Sequence, residues 1–293
     1  MRTFNSTSHV LAECPLIEPE TGLLWWVDIP EGQVWSRLLA GQGEDRRFDA
    51  GSAVGAIAFG QPGCLIVAAE EAVSCLNTQE GIFKELWRPS LPESGRFNDG
   101  RVDPWGRLWL GWLTHARQRP GHILRIGPSG PVTIIDDLIA PNGIGFSPDR
   151  SLAYVTDSHV NEIRIYSIDQ SEAPPVRVGT LAQQVRDRGI FDGLGVDSDG
   201  NIWSALFGAG VIVCLRPDGR ETHRITLPVR HATSLVFSDD GQIIITTGHR
   251  DLSADERTEE PLSGRLLVVP SGVQGLPETR FAFADRFSAR SSR

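Results

Sequence analysis

The chain has 293 residues, with 28 basic and 37 acidic side chains and a formal net charge of −9. Its 40% hydrophobic content is ordinary for a globular protein and excludes disorder as the main state. No run of about 18 apolar residues is present, and the first residues lack the charged-then-apolar plan of a signal peptide. Because the acidic chain also has no basic stripe, we expect neither a membrane nor a nucleic acid as partner.

The cysteine and lysine content indicates the redox state of the thiols and limits the possible covalent catalysis. Four cysteines, at positions 14, 64, 75 and 214, form no C-x-x-C pair and are too sparse to staple a chain of this length. We therefore expect reduced thiols and a cytoplasmic location. Lys84 is the single lysine of the chain, so Schiff-base chemistry is set aside.

Six similar segments recur along the chain at intervals of 41 to 50 residues. Each opens with a small or polar residue and continues with an apolar run, a turn rich in Gly, Pro and Asp, and a second apolar run. Self-similarity at a fixed period of this size is typical of repeat architectures. The opening residues are Glu13, Gly55, Asn98, Asn142, Asp192 and Thr233.

Each unit begins with two β-type runs joined by a turn, which is the pattern of a hairpin. Further apolar runs follow, so that a unit holds about four strands. Four strands in roughly 40–45 residues correspond to one propeller blade. We therefore predict one all-β domain over residues 1–293, a six-bladed β-propeller with four-stranded antiparallel blades. Residues 2–4 precede the first repeat and are expected to complete the last blade and close the ring.

The same sequence features permit one other architecture and one other role for the opening residues. A pair of β-sandwiches would accommodate the strands, but it gives no reason for their shared phase. Asn, Asp and Gly are also common at strand starts because they make turns and local hydrogen bonds. The opening residues therefore serve either as turn formers or as a functional ring.

Radial repetition places the six opening residues in a ring around one mouth of the central channel. The carboxylates Glu13 and Asp192 would repel each other there unless a cation lay between them. Oxygen ligands from Glu, Asn and Asp suit a hard divalent cation. We therefore predict a metal site formed by Glu13, Asn142 and Asp192, with open positions for water and substrate.

Several motifs resemble those of a known family. The segments are Leu11-Ala-Glu13-Cys-Pro15, Arg96-Phe-Asn98-Asp99-Gly100, Pro141-Asn142-Gly143 and Phe191-Asp192-Gly193. They resemble the senescence marker protein/gluconolactonase/luciferin-regenerating family, which includes the regucalcin-like sugar lactonases. The resemblance covers residues 10–270.

The resemblance implies a six-bladed propeller that hydrolyses aldonolactones with one divalent cation in the channel. It implies that Glu13, Asn142 and Asp192 bind the cation, and that Asp192 is the general base. Arg96 and Asn98 match substrate-binding positions, and Asp99 is expected to make a secondary substrate contact. The cation is Ca²⁺, Zn²⁺, Mn²⁺, Mg²⁺ or Fe²⁺, and the protein is expected to be a monomer.

Some motifs depart from the family pattern. The opening motif usually reads Gly-Glu-Gly-Pro, whereas Cys14 follows the glutamate here. We expect Cys14 to be a small buried residue, with tuning of the metal as the alternative. The loop at residues 114–120 also differs from the acidic lid of the family.

The substrate is therefore left open among glucono-, arabinono- and xylonolactone. Two alternative functions remain: hydrolysis of another lactone or ester, and a non-catalytic calcium-binding propeller.

Overall fold

Alternating turns and short β-branched or aromatic runs form six separate four-stranded antiparallel sheets. We describe them from a computed structural model, for residues 1–41, 43–70, 72–90, 94–115 and 120–283. Within each sheet the strands follow chain order, so that every blade is a meander, apart from the sheet that contains the N-terminal strand. The predicted all-β six-bladed propeller is confirmed.

The first three blades each consist of four consecutive antiparallel strands. Blade 1 contains β2 (Ala12–Glu18), β3 (Leu23–Asp28), β4 (Gln33–Leu38) and β5 (Arg46–Asp49). Blade 2 contains β6 (Val54–Phe59), β7 (Cys64–Ala69), β8 (Val73–Asn77) and β9 (Phe83–Trp87). Blade 3 contains β10 (Gly95–Val102), β11 (Leu108–Thr114), β12 (Gly121–Gly127) and β13 (Gly130–Leu138).

The last three blades add two short helices. Blade 4 contains β14 (Pro141–Phe146), β15 (Leu152–Asp157), β16 (Glu162–Ser167) and β17 (Val176–Gln183). A 3₁₀ helix (Arg186–Arg188) leads into blade 5, which contains β18 (Ile190–Val196), β19 (Ile202–Phe207), β20 (Val211–Leu215) and β21 (Glu221–Thr226). Blade 6 contains β22 (Ala232–Phe237), β23 (Gln242–Thr247), β24 (Leu267–Pro270) and β1 (Arg2–Thr3), and α1 (Ala254–Glu259) lies between β23 and β24.

The N-terminal strand closes the ring. Arg2 pairs with Val268 and Thr3 pairs with Leu267, so β1 is the outermost strand of blade 6. Joining the two ends of the chain in one sheet ties blade 6 to the start of blade 1 and covers the outer edge of β24. The predicted closure by residues 2–4 is therefore confirmed.

The core lies between neighbouring blades. Inner strands are buried on both faces, so their sequences read as nearly continuous apolar runs rather than alternating ones. Large side chains such as Trp25, Trp26 and Trp109 are fully buried between the sheets. Because apolar surface is buried between neighbouring blades, the stability of each blade depends on the blades beside it.

A β-bulge occurs at the same place in the innermost strand of all six blades. The strand register shifts next to Glu13, Gly55, Asn98, Asn142, Asp192 and Thr233 in turn. A bulge bends the strand and re-aims a side chain that would otherwise follow the pleat. The repeated opening residue of the sequence is thus the position at which each blade can direct a side chain into the channel.

The segment after β24 crosses the mouth of the channel at which the innermost strands end. The backbone N–H of Phe281 donates to Phe59 O at 2.7 Å, and that of Ala282 donates to Gly106 O at 3.0 Å. Phe281 itself is 1% exposed and packs in the core. This strap (residues 271–283) starts at blade 6, where the N–H of Ser271 donates to Gly241 O, and ends against blades 2 and 3, which the repeat pattern did not predict.

The cysteines differ from the expectation of four reduced thiols. Cys64 and Cys75 lie on the adjacent strands β7 and β8 and are joined by a disulfide. The expectation is wrong for this pair because strand pairing brings together two residues that the linear spacing did not connect. Cys14 and Cys214 are free and buried. Among the described residues, no helix is long and apolar enough to span a membrane.

Candidate metal centre and substrate cavity

A cavity of about 220 Å³ opens where the innermost strands begin, at the mouth opposite the strap. Its floor carries four of the six ring residues, namely Glu13, Asn98, Asn142 and Asp192. The remaining wall is formed by the ends of strands and by the segments between them. The wall residues are Leu11, Ile29, Arg96, Leu113, Ala140, Ser158, His159, Arg186, Ile190, Phe207, Arg250 and Asp251.

The other two ring residues serve the packing of the blades. A Cβ atom at Gly55 would lie 1.9 Å from Phe97 O, so only glycine permits this approach of blades 2 and 3. Thr233 is fully buried, and its hydroxyl donates to Ala12 O at 2.6 Å, which joins blade 6 to blade 1. The ring therefore divides into four residues that face the cavity and two that hold blades together.

Asn142 and Asp192 are in direct contact. The amide nitrogen of Asn142 donates to Asp192 Oδ1 and also to Ser158 Oγ, the latter at 3.1 Å. Ser158 in turn donates its hydroxyl proton to Phe191 O at 2.7 Å, and Asn142 Oδ1 accepts from the N–H of Gly143 at 3.1 Å. This network holds the side chains of blades 4 and 5 in one place.

The carboxyl groups of the cavity have raised pKa values. Burial is the main cause for Asp192, whose pKa is raised to about 8, and the charge of Asp99 adds to it. Burial likewise raises the pKa of Glu13 well above its usual range, helped by the charges of Asp192 and Asp99. The Arg96 guanidinium opposes both shifts. Two buried acids that resist ionisation thus line one cavity, which is a situation that a bound cation relieves.

The residues present fit a hard divalent cation. Glu13 and Asp192 supply two carboxyl groups and Asn142 supplies an amide oxygen, an all-oxygen donor set. In the described part of the chain no group of three or more His, Cys, Asp or Glu side chains has the arrangement of a metal site. This candidate contains two such residues and an amide. The amide currently turns its nitrogen toward Asp192, as expected for a hydrogen bond between an amide and a carboxyl group.

Two of the three predicted substrate-binding residues line the cavity, and the third lies beside it. Arg96 lines the cavity and donates from Nη1 to Phe97 O at 2.9 Å. Asn98 also lines it and donates from Nδ2 to Pro141 O at 2.8 Å, which ties blade 3 to blade 4. Asp99 lies beside the cavity rather than in its lining. Its Oδ1 accepts from the N–H of Gly100 at 2.6 Å, and burial raises the pKa of Asp99 to about 6.

Cys14 occupies a position that favours glycine. Its φ is 49°, in the left-handed region, within the bulge that follows Glu13. The thiol is buried against Ile57, and burial raises its pKa well above the usual range. The Cys14 side chain is therefore a small buried thiol, as expected. The left-handed backbone conformation at this position explains why the family motif usually has glycine here. Residues 116–119 of the divergent loop lie outside the described residues.

Five polar wall residues were missed by the sequence analysis: Ser158, His159, Arg186, Arg250 and Asp251. Ser158 directly follows strand β15, the second strand of the blade that begins with Asn142, so its position could have drawn attention. The other four lie in the segments between strands. No repeat phase marks them, because each blade has a loop of its own length and sequence.

Comparisons with known proteins agree with this architecture. A family model described as the SMP-30/Gluconolactonase/LRE-like region matches residues 11–249. The chain belongs to this family. It is 33% identical to the 6-deoxy-6-sulfogluconolactonase of Pseudomonas putida, covering 93% of this chain and 95% of that protein.

Two further relatives extend the comparison. The chain is 28% identical to the L-arabinolactonase of Azospirillum brasilense, covering 96% of this chain and 95% of that one. A solved structure, the calcium-binding protein regucalcin of Agrobacterium tumefaciens, matches with a TM-score of 0.89 at 25% identity and covers 96% of each chain. The family predicted from the motifs is thus confirmed.

Proposed function

We propose that this protein is a divalent-metal-dependent lactonase that hydrolyses a sugar lactone to the open aldonic acid. The observation that carries the proposal is the placement of Glu13, Asn142 and Asp192, from three blades, in one cavity. Two of these side chains are buried acids with raised pKa values. Membership in the lactonase-containing family supports the reaction class.

A bound cation supplies Lewis-acid polarisation of the lactone carbonyl. Asp192, once ionised, accepts the proton of the attacking water and later returns it to the leaving hydroxyl. Asn142 holds the Asp192 carboxyl group in place through its amide nitrogen. Arg96 and Asn98, which line the same cavity, orient the sugar hydroxyls and the ring oxygen.

The residues of the cavity permit several candidate substrates and several candidate cations. Glucono-, arabinono- and xylonolactone are the candidate substrates, and relatives are named for a sulfogluconolactone and an arabinolactone. Calcium is one candidate cation, since a matched structure is named a calcium-binding protein. Zinc, manganese, magnesium and iron(II) suit oxygen donors as well.

Two experiments test the proposal. The first is a pH-stat assay of the three lactones and of a panel of aryl esters with protein dialysed against chelator, followed by add-back of each of the five cations. We expect activity to disappear on dialysis and to return with at least one cation. Saturable cation binding without turnover of any lactone or aryl ester would instead favour the non-catalytic calcium-binding propeller. Turnover confined to aryl esters would favour a different ester hydrolase.

The second experiment tests the metal ligands directly. Titration calorimetry of Glu13→Gln is expected to show a loss of cation affinity of at least about tenfold, since a charged ligand is removed. Glu31→Gln is the matched control, because Glu31 is an exposed glutamate of the same blade. Normal cation binding by Glu13→Gln would remove the main support for a site on this ring.

A further inference from the structure

The wall around the candidate metal centre is cationic. In the described part of the chain it carries three arginines from different blades: Arg96 from β10, Arg186 from the 3₁₀ helix before β18, and Arg250 after β23. Apart from the two buried ring carboxyl groups, the acidic residue of this wall is Asp251, whose side chain is 79% exposed. This local charge contrasts with the net charge of −9 of the whole chain.

Arg186 is held in place without an acidic partner. Its Nη2 donates to Ser158 O at 3.1 Å and to His159 O at 2.6 Å. No carboxylate lies within salt-bridge distance of it in the described residues. Neutral carbonyl groups fix the guanidinium but leave its charge uncompensated, and its other N–H groups can still donate.

The guanidinium group of Arg250 also makes no close ion pair among the described residues. The backbone N–H of Arg250 donates to Val10 O at 2.9 Å, which fixes the start of this loop against blade 1. The nearest carboxyl group is that of Asp251, with 3.9 Å between Nε and Oδ2, which is too long for a hydrogen bond. The side chain is 41% exposed and lines the same cavity as Arg186.

Arg96 differs from these two residues. Its Nη1 donates to Phe97 O at 2.9 Å, and it lies on β10 two residues before Asn98 of the cavity floor. A divalent cation bound at the floor would balance the charges of two ionised carboxylates there. Among the described wall residues, the charges of Arg186 and Arg250 then face one carboxylate, that of the exposed Asp251.

Building on the proposed lactone hydrolysis, we propose that the substrate is a sugar lactone with an anionic substituent, which Arg186 and Arg250 bind. Guanidinium groups pair with carboxylate, sulfonate and phosphate oxygens through parallel N–H donors. A cation-lined cleft in an otherwise acidic protein also concentrates anions at its mouth. The lactone ring lies over the ring carboxylates, and the charged substituent points toward the wall.

The test compares kcat/KM for D-glucono-1,5-lactone with kcat/KM for lactones of the same ring that carry a carboxylate, a phosphate or a sulfonate at carbon 6. We expect at least one anionic lactone to be preferred over the neutral one. We also expect the preference to shrink as salt is raised from about 0.05 to 0.5 M, because salt screens charges that are exposed. Comparing kcat/KM among the three anionic lactones identifies whether the wall prefers a carboxylate, a phosphate or a sulfonate.

Arg186→Gln and Arg250→Gln are each expected to lower the anionic-to-neutral ratio of kcat/KM by about 10- to 100-fold, the range for loss of one charge-assisted hydrogen bond. The loss should appear mainly in KM. Arg47→Gln removes the same charge from an exposed site on β5 and is expected to leave the ratio unchanged. A purely structural role of Arg186 would lower both activities together and leave the ratio as it was.

The outcomes separate this inference from the proposed function. Turnover of the neutral lactone with equal or lower efficiency for all three anionic lactones overturns the inference alone. An unchanged ratio in both arginine variants overturns it as well. Absence of turnover for every lactone, with all cations supplied, overturns the proposed function and this inference with it.

Discussion

Asn142 and Asp192, fifty residues apart in the sequence, meet side chain to side chain, with the amide nitrogen of Asn142 donating to Asp192 Oδ1. The contact joins the innermost strands of blades 4 and 5 at equivalent bulges. The carboxyl group of Asp192 is buried, and its pKa is raised to about 8. Its direct neighbour is a neutral hydrogen-bond donor, the amide of Asn142. The proposed metal chemistry and the expected pH behaviour of the cavity both involve this pair.

Asp192→Asn is expected to lower kcat for lactone hydrolysis by at least about 100-fold, since it removes the proposed general base. The same change is expected to stabilise the metal-free protein at pH 9, because it replaces a buried carboxylate by a neutral amide of the same shape. Lactone assays and thermal unfolding check the two effects. Asp199→Asn, an exposed position in the same blade, is the control and should change neither. Full activity in Asp192→Asn would contradict the assignment of the base.

The stability of the metal-free protein is expected to fall as pH rises. The pKa of Asp192 is about 8 in the folded protein, against about 3.9 for an exposed aspartate, so the folded state binds this proton more tightly than the unfolded state does. The stability contribution is therefore complete below about pH 4 and is lost as pH rises through 8. Calorimetric Tm values of chelated protein between pH 5 and pH 9 measure it.

Cation binding is expected to reverse this loss and to release protons below about pH 8, because the cation binds the ionised carboxyl groups. Titration calorimetry in two buffers of different ionisation enthalpy counts the protons. The Asp192→Asn variant should show a flatter dependence of Tm on pH. A Tm of the chelated wild-type protein that increases from pH 6 to pH 9 would show that the buried carboxyl groups are not the controlling ones.

Gly55→Ala is expected to destabilise the propeller by about 1–3 kcal/mol, the usual cost of overpacking. The added Cβ atom would lie 1.9 Å from Phe97 O, so the inner strands of blades 2 and 3 must move apart. Denaturant unfolding measures the change. Gly179→Ala in β17 is the control, because its nearest neighbour would lie 3.9 Å away at Ile165. Equal stability of the two variants would show that this close approach is not a constraint.

Phe281→Ala is expected to lower stability by about 3–5 kcal/mol, as for other buried phenylalanines. The side chain is 1% exposed and anchors the strap at the mouth opposite the cavity. KM for the lactone should therefore stay the same while Tm falls. Ile82→Ala, at a site that is 60% exposed, should change Tm little. A stability loss no larger than that of Ile82→Ala would show that the strap does not hold the ring.

The repeat period was enough to predict the six blades, their four strands, the closure by residues 2–4 and the ring of opening residues. This is possible because each blade is a local unit, whose hairpins follow from alternating apolar runs and turns over neighbouring residues. The oxygen-bearing residues Glu13, Asn142 and Asp192 stood out for the same reason, since one phase of the repeat brings them to one mouth.

Tertiary structure alone decided which ring residues face the cavity. Gly55 and Thr233 share the phase of Asp192 but serve blade packing, because the distance between neighbouring strands determines what each bulge can hold. It also placed Arg186 on the cavity wall, brought Cys64 to Cys75 and laid the strap across the far mouth. Such contacts join residues from loops or different strands, and no periodic pattern records them, because they form only when strands pair within a blade or blades pack into the ring.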